Sequence, residues 1–250
     1  MKSSLISIIT PCYNSGHLIT ATIQSVIAQT YTNWELILVN DASLDNTGEI
    51  IDFYANQDSR IRAVHLELNG GIANARNTGI AIANGDYVSF LDSDDLWFSE
   101  KLELQISFMK KHDYAFSHTA YQKINIDGDI ISKVIQVSKS VNYKALLKHN
   151  EIGCLTAMYD VTKVGKRFFK QIGHEDFACW LEILKDGYQS YGISLPLAFY
   201  RIHGKTASGN KIKVIGYTWS IYRKIQKLPL LKSLYYFSFY AANSFLKYIK

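Results

Sequence analysis

Phe90-Leu91-Asp92-Ser93-Asp94-Asp95-Leu96-Trp97 decides how the rest of this 250-residue chain is read. The residues that lead into it, Tyr87-Val88-Ser89-Phe90-Leu91, have the length and the β-branched or aromatic content of a buried strand. They run without a spacer into three carboxylates within four residues. Carboxylates this close raise one another's pKa unless a cation stands among them, and a hard divalent metal carrying phosphate oxygens meets that need. The competing reading is a solvated loop in which Asp92 or Asp94 caps the helix that follows.

Outward from this stretch the same pattern recurs. Leu5 to Thr10 reads as a buried strand broken by Pro11 and the turn formers Asn14-Ser15-Gly16, with a helix over His17 to Gln29. Glu35 to Val39 is a second strand, running into the polar loop Asn40 to Thr47 and a helix over 47–56. A short strand at 62–66 precedes Asn69-Gly70-Gly71 and a helix over 72–84 that carries Arg76. Strands alternating with helices predict a mainly parallel sheet flanked by helices, in which ligands sit beyond the carboxyl ends of the strands. Residues 10–14, 41–45 and 92–95 all fall at such ends, so three separately coded loops converge on one crevice.

Composition sets the limits. Hydrophobic residues make up 48% and charged residues 20% of the chain, ordinary for a packed globular protein. Cys12, Cys154 and Cys179 are widely separated and sit in apolar surroundings, which argues against a disulfide framework or a zinc site and fits a reducing cytoplasm. The reading includes no export signal and no membrane span. The net charge of +5 hides an asymmetry: ten Lys and Arg but no Asp or Glu lie from Gly187 on, leaving 17 basic against 22 acidic residues before it.

Thr10-Pro11-Cys12-Tyr13-Asn14, Asn40-Asp41-Ala42-Ser43 with Asp45 and Thr47, Asn74-Ala75-Arg76-Asn77, and Asp92-Ser93-Asp94-Asp95 together resemble the family 2 glycosyltransferases. These are inverting enzymes of the GT-A fold that use a nucleotide-diphosphate sugar. The resemblance continues through Gly173-His174-Glu175-Asp176-Phe177 with Trp180 and through Tyr200-Arg201-Ile202-His203, and it is similar in pattern to enzymes of bacterial surface-polysaccharide synthesis.

The resemblance implies a division of labour. Thr10, Pro11, Tyr13 and Asp41 would hold the nucleobase, a carboxylate being a natural acceptor for the imino N–H of uracil. Asp92 would bond the ribose with Ser93 beside it, and Arg76 would add positive charge. Asp94, with His203, would ligate Mg²⁺ or Mn²⁺ on the diphosphate. Asp176 would be the catalytic base, with Glu175 supporting it or touching the acceptor. Three roles are read from the residues themselves: Asp45 as a cap of the next helix rather than a ligand, Asp95 as orienting its own loop or capping the helix that begins near Ser99, and Asp127-Gly128-Asp129 as a hairpin turn.

The resulting expectation is a GT-A domain over 1–210 and a basic, aromatic helical tail over 211–250 split by Pro229. The tail's composition suits a membrane interface, with packing on the catalytic domain or on a second subunit, a homodimer, as the alternatives. No nucleic-acid motif accompanies it. The expected activity is transfer of a hexosyl or N-acetylhexosaminyl group from a UDP-sugar to a lipid-linked or growing surface glycan, in the cytoplasm on the inner face of the membrane. The rivals are a non-catalytic sugar-nucleotide-binding subunit and a sugar nucleotidyltransferase. The latter needs a Gly- and basic-rich triphosphate loop that residues 10–16 lack, and the absence of GxGxxG disfavours a dinucleotide enzyme.

Overall fold

The structure, a computed structural model, describes residues 4–202 and 211–246. Four parallel strands form its first half: β1 (Ile6–Cys12), β2 (Trp34–Asn40), β3 (Ile61–His65) and β4 (Tyr87–Phe90). Between them run α1 (Ile19–Ile27), α2 (Thr47–Gln57) and α3 (Ile72–Ile82). Alternate residues of the strands feed two separate cores. Ile6, Ile8, Leu36 and Leu38 join α1 in one, and Ile9, Ile37, Val39 and Val88 join α3 in the other. Burial on both faces explains why these strands are continuous apolar runs.

The second half adds β5 (Leu96–Trp97), α4 (Lys101–His112), β6 (Phe116–Ile124), β7 (Ser140–Val141), α5 (Tyr143–Lys148), β8 (Met158–Asp160), α6 (Val161–Val164), α7 (Glu175–Lys185) and β9 (Ser190–Arg201). The sheet order is β3-β2-β1-β4-β8-β6-β9-β5, with β7 paired to β9. β8 enters antiparallel between β4 and β6, so the sheet turns from parallel to mixed next to the carboxylate loop. The Asp127-Gly128-Asp129 turn closes on β6, with Gly128 at φ 95° and an isolated bridge between Ile124 and Ile130.

Pro11 does not end the first strand, contrary to its reading as a breaker. β1 continues to Cys12 and pairs Pro11 with Val39 in register. The Ile9 carbonyl accepts from Leu91 on the β4 side and the Cys12 carbonyl accepts from Asp41 on the β2 side. By strand alternation Pro11 faces the β4 side, where the ladder has already ended at Ile9–Phe90, so its missing N–H costs no sheet bond.

The tail folds back on the body. Helix α8 (Lys211–Ser220), a π-turn at Ile221–Ile225 and α9 (Leu230–Leu246) follow in order, with Pro229 just ahead of α9. Ile221 and Tyr222 are fully buried in the same core as α3 and α7. Tyr222 donates to the Leu147 carbonyl and Tyr143 donates to Gln226 Oε1 at 2.9 Å, fastening the tail to α5. Among the described residues no helix is long and apolar enough to cross a membrane.

Helix α3 lies close on the sheet because Gly79 lacks a side chain: a Cβ there would stand 2.6 Å from Ile9 Cγ2. Gly79→Ala is therefore expected to destabilise the fold by about 1–3 kcal/mol despite alanine's better helix propensity, read as a lower midpoint in urea unfolding.

Candidate active site

The carboxyl ends of β1, β2 and β4 open on one side, and side-chain-to-backbone bonds lace their loops together. Asn14, at φ 48°, donates its N–H to Ser43 Oγ, and its own Oδ1 accepts from Leu44. Ser15 N–H donates to Thr47 Oγ1 and Gly16 N–H to Asp45 Oδ2. Asp45, one residue before the cap position Asn46, also accepts from the N–H of Thr47; partial desolvation works against ionisation, but these bonds hold its pKa below the ordinary value. Of the residues expected at the nucleobase, Tyr13 is half exposed, at 51%, whereas Thr10 and Pro11 are buried within β1.

Asp41 is 3% exposed and pins the loop between β3 and α3. Its two carboxylate oxygens accept the N–H groups of Gly70 and Gly71, each at 2.8 Å. Gly71 sits at φ 81°, a conformation that leaves glycine as the natural occupant. Each Asp41 oxygen keeps a second lone pair, so this duty does not exhaust its capacity to accept.

Arg76, held on α3 by that anchored loop, is the centre of the site. Only 2% exposed, it donates from Nη2 to Asp92 Oδ1 at 2.6 Å and from Nη1 to Glu175 Oε1 at 2.5 Å. One guanidinium thus joins the loop after β4 to the start of α7. Beneath it the Phe169 ring lies 5.3 Å from the guanidinium carbon, in a cluster with Phe90 and Trp180. Its burial places Arg76 behind the carboxylates as their counter-charge.

The remaining acids divide as follows. Asp95, 1% exposed, accepts the Arg201 N–H at 2.7 Å, and burial followed by Asp94 and Asp92 pushes its pKa well up. Arg201 is spent on the backbone, donating to the carbonyls of Asp94, Asn125 and Ile126. The Asp92–Asp95 loop is therefore clamped to the end of β9, while Asp92, Ser93 and Asp94 remain partly exposed. Glu175 and Asp176 open α7, and Asp176 is partly exposed. Burial raises the Glu175 pKa, Arg76 opposes the rise and Asp176 adds to it. Burial pushes the Cys154 thiol, 7% exposed, well up; Arg76 draws it down, and Asp92, Asp176 and Glu175 raise it again. A cysteine in an apolar run carries no signal in the sequence that the charges of Arg76 and these acids act on it.

Asp92 and Asp94 offer hard oxygen donors suited to Mg²⁺ or Mn²⁺, but no three metal-ligating side chains cluster among the described residues. Such a donor set fits an ion that takes its other ligands from substrate phosphate and water, the usual manner of Mg²⁺. His203, the other expected ligand, lies outside the described residues, as does the hydroxyl-bearing segment after it.

Residues 7–172 match the profile of Glycosyl transferase family 2. This chain belongs to that family. It is 42% identical over 241 residues, 96% of each chain, to TuaG of Bacillus subtilis (strain 168), whose name ascribes it to teichuronic acid biosynthesis. It is 39% identical over 237 residues to WfgD of Escherichia coli, named a UDP-Glc:α-D-GlcNAc-diphosphoundecaprenol β-1,3-glucosyltransferase, covering 94% of this chain and 92% of WfgD. Among solved structures, S. aureus TarS 1–349 in complex with UDP-GlcNAc superposes with a TM-score of 0.73 at 21% identity, covering 98% of this chain and 76% of that one. This family 2 glycosyltransferase has the GT-A fold that its motifs imply.

Removing the buried cation tests the geometry. Arg76→Met leaves Glu175, 13% exposed, and Asp92, 26% exposed, without their counter-charge, and a stability loss on the order of 3 kcal/mol is expected at pH 7. A carboxyl whose folded pKa stands above its unfolded value takes up a proton on folding, so stability rises as pH falls through the window between the two. Glu175 is such a group, and losing Arg76 moves it further up. The deficit of the variant should accordingly shrink as the pH is lowered from 7 toward the ordinary glutamate pKa, measured by urea unfolding at each pH; a pH-independent deficit would contradict the pairing.

Proposed function

We propose that this glycosyltransferase moves a sugar from a UDP-linked donor to a hydroxyl of a sugar carried on a polyprenyl diphosphate, by single displacement with inversion. The observation that carries the reading is the Arg76 bridge, which brings the donor-side loop of Asp92 and the Glu175-Asp176 pair into one crevice. The acceptor class follows from likeness to WfgD, whose name specifies such an acceptor, and the UDP donor from WfgD together with the motif resemblance.

In this reading Tyr13 covers the base from its exposed place at the end of β1, Asp41 accepts from the imino N–H, and Asp92 bonds the ribose with Ser93 beside it. Thr10 and Pro11 shape the strand end beneath them. Arg76 fixes Asp92 in direction through the Nη2–Oδ1 bond. Asp94, with His203, would hold Mg²⁺ or Mn²⁺, which supplies charge neutralisation to the departing diphosphate. The acceptor oxygen attacks the anomeric carbon as the bond from that carbon to the diphosphate oxygen breaks, and the hydroxyl proton passes to Asp176. Glu175, tied to Arg76, orients the start of α7 so that Asp176 faces the acceptor.

The same proposal places the enzyme on an anionic membrane surface through its tail. Leu230, Leu231, Leu234, Tyr235 and Phe239 are exposed on α9, and the chain from Gly187 on carries cations and no Asp or Glu. An exposed apolar face on a segment that carries cations and no acid is complementary to anionic headgroups over acyl chains.

Thermal-shift measurements across nucleotide sugars, with and without Mn²⁺, test the donor: the true donor at about 100 times its Kd stabilises by about 2.7 kcal/mol. Asp94→Ala should lose the Mn²⁺-dependent part of that shift. Asp176→Asn should keep the shift yet transfer about 10²–10⁴-fold more slowly, followed as UDP release with a lipid-linked acceptor. Full transfer by Asp176→Asn would move the base elsewhere. Sedimentation with anionic vesicles, lost with zwitterionic ones, is the outcome expected for the tail.

A further inference from the structure

The turn that carries the base is built partly by the tail. Glu175 and Asp176 follow Gly173 and His174, and His174 stands in the left-handed region at φ 59°, ψ 46°. A non-glycine residue holds such a conformation only where its surroundings over-determine it. One surrounding group is Tyr217 of α8. A Cβ added to Gly173 would lie 2.3 Å from Tyr217 Cδ2 and 2.4 Å from Cε2 and Cγ, so the ring occupies the space that any other residue at 173 would need. The His174 ring lies 6.1 Å from the same tyrosine. One residue beyond Asp176, Phe177 packs against Tyr222 and Tyr240, centroids 6.3 and 6.4 Å away. Tail rings therefore flank the acidic pair on both sides in sequence.

We propose that Tyr217 is a positioning residue for the transfer reaction, its ring against Gly173 fixing the turn that aims Glu175 and Asp176 into the crevice. Tyr217 is 37% exposed, so it contributes little to the core, and its ring lies on the base-bearing turn rather than on the loops assigned to the donor. Its removal should loosen the base turn while donor binding is kept. Helix α8 then belongs to the active site as well as to the tail. The kinetic part rests on Asp176 being the base; the structural part does not.

The test uses the full chain and two readouts. Hydrogen–deuterium exchange of the 173–178 amides reports the turn without reference to activity, and steady-state kinetics with the lipid-linked acceptor report its consequence. In Tyr217→Ala the 173–178 amides should exchange about tenfold faster or more while those of β1 and β4 keep their rates. In the same variant kcat should fall about 100-fold with donor KM unchanged. Tyr217→Phe should restore both readouts, because the ring and not the hydroxyl fills the space. Gly173→Ala, which puts a methyl where the ring sits, should reproduce the kcat loss, and the double variant should be no worse than Tyr217→Ala. Unchanged exchange at 173–178 in Tyr217→Ala would overturn the proposal. So would failure of Tyr217→Phe to rescue, or a loss confined to donor KM. An enzyme that transfers from none of the donors would overturn the substrate reading, while the exchange measurement would still decide the role of Tyr217.

Discussion

A guanidinium that is 2% exposed cannot stand in a protein interior without paired acid, and Arg76 takes its acid from two places 83 residues apart, Asp92 and Glu175. Much of the site's geometry follows from that need. Arg76 must reach both carboxylates from α3, and α3 is set by the loop that Asp41 pins through the amides of Gly70 and Gly71. The residue assigned to the nucleobase therefore also fixes, one helix away, the cation that joins the two halves of the crevice. Asp92 and Glu175 are coupled through this one cation, because displacing either takes a partner from a buried charge.

The rest of the scaffold removes freedom from the same loop at its far end. Asp95 accepts the Arg201 amide and the Arg201 side chain binds the Asp94 carbonyl, so the acidic loop is tied to β9 as firmly as Asp92 is tied to Arg76. Close carboxylates repel, and a loop holding them open to solvent would splay without such ties. Burial, followed by the charges of Asp94 and Asp92, pushes the Asp95 pKa up. The Arg201 N–H on Asp95 Oδ1 opposes that rise, and Asp92 and Asp94 stay partly exposed.

Local chemistry wrote the first half of this fold legibly. Apolar runs of strand length alternating with helical periodicity fixed β1 to β4, and the acidic residues at the ends of those strands converge as their positions predicted. What stayed hidden depended on pairing between distant segments. Pro11 looked like a terminator because the sequence does not say which neighbour each strand residue faces; the geometry lets it pass by turning its missing donor toward the spent edge of β4. The commitment of Arg201 to three backbone carbonyls is a property of the β6 hairpin folding alongside, which the local stretch Tyr200 to Ile202 does not announce. Arg76 was visible as a charge near the donor but not as a bridge, since Glu175 arrives from a remote helix.

The tail was the least legible part, because aromatic residues mixed with lysines suit a bilayer, a subunit or the domain itself, and only packing separates these. Packing assigns opposite faces of the same segment to different tasks. Tyr222 and Tyr240 are buried against α5 and α7, whereas Leu231 and Leu234 remain 80% and 50% exposed on α9. A helix bound so firmly on one side does not expose leucines on the other for reasons of its own stability, since apolar area left in water forfeits about 25 cal/mol per Å². For an acceptor confined to a bilayer, the exposed face would hold the catalyst where its substrate is concentrated, a gain in effective concentration that needs no new contact at the crevice. The helix that presents these leucines also packs Tyr240 against Phe177, one residue beyond Asp176, so α9 joins the outer face to the start of α7.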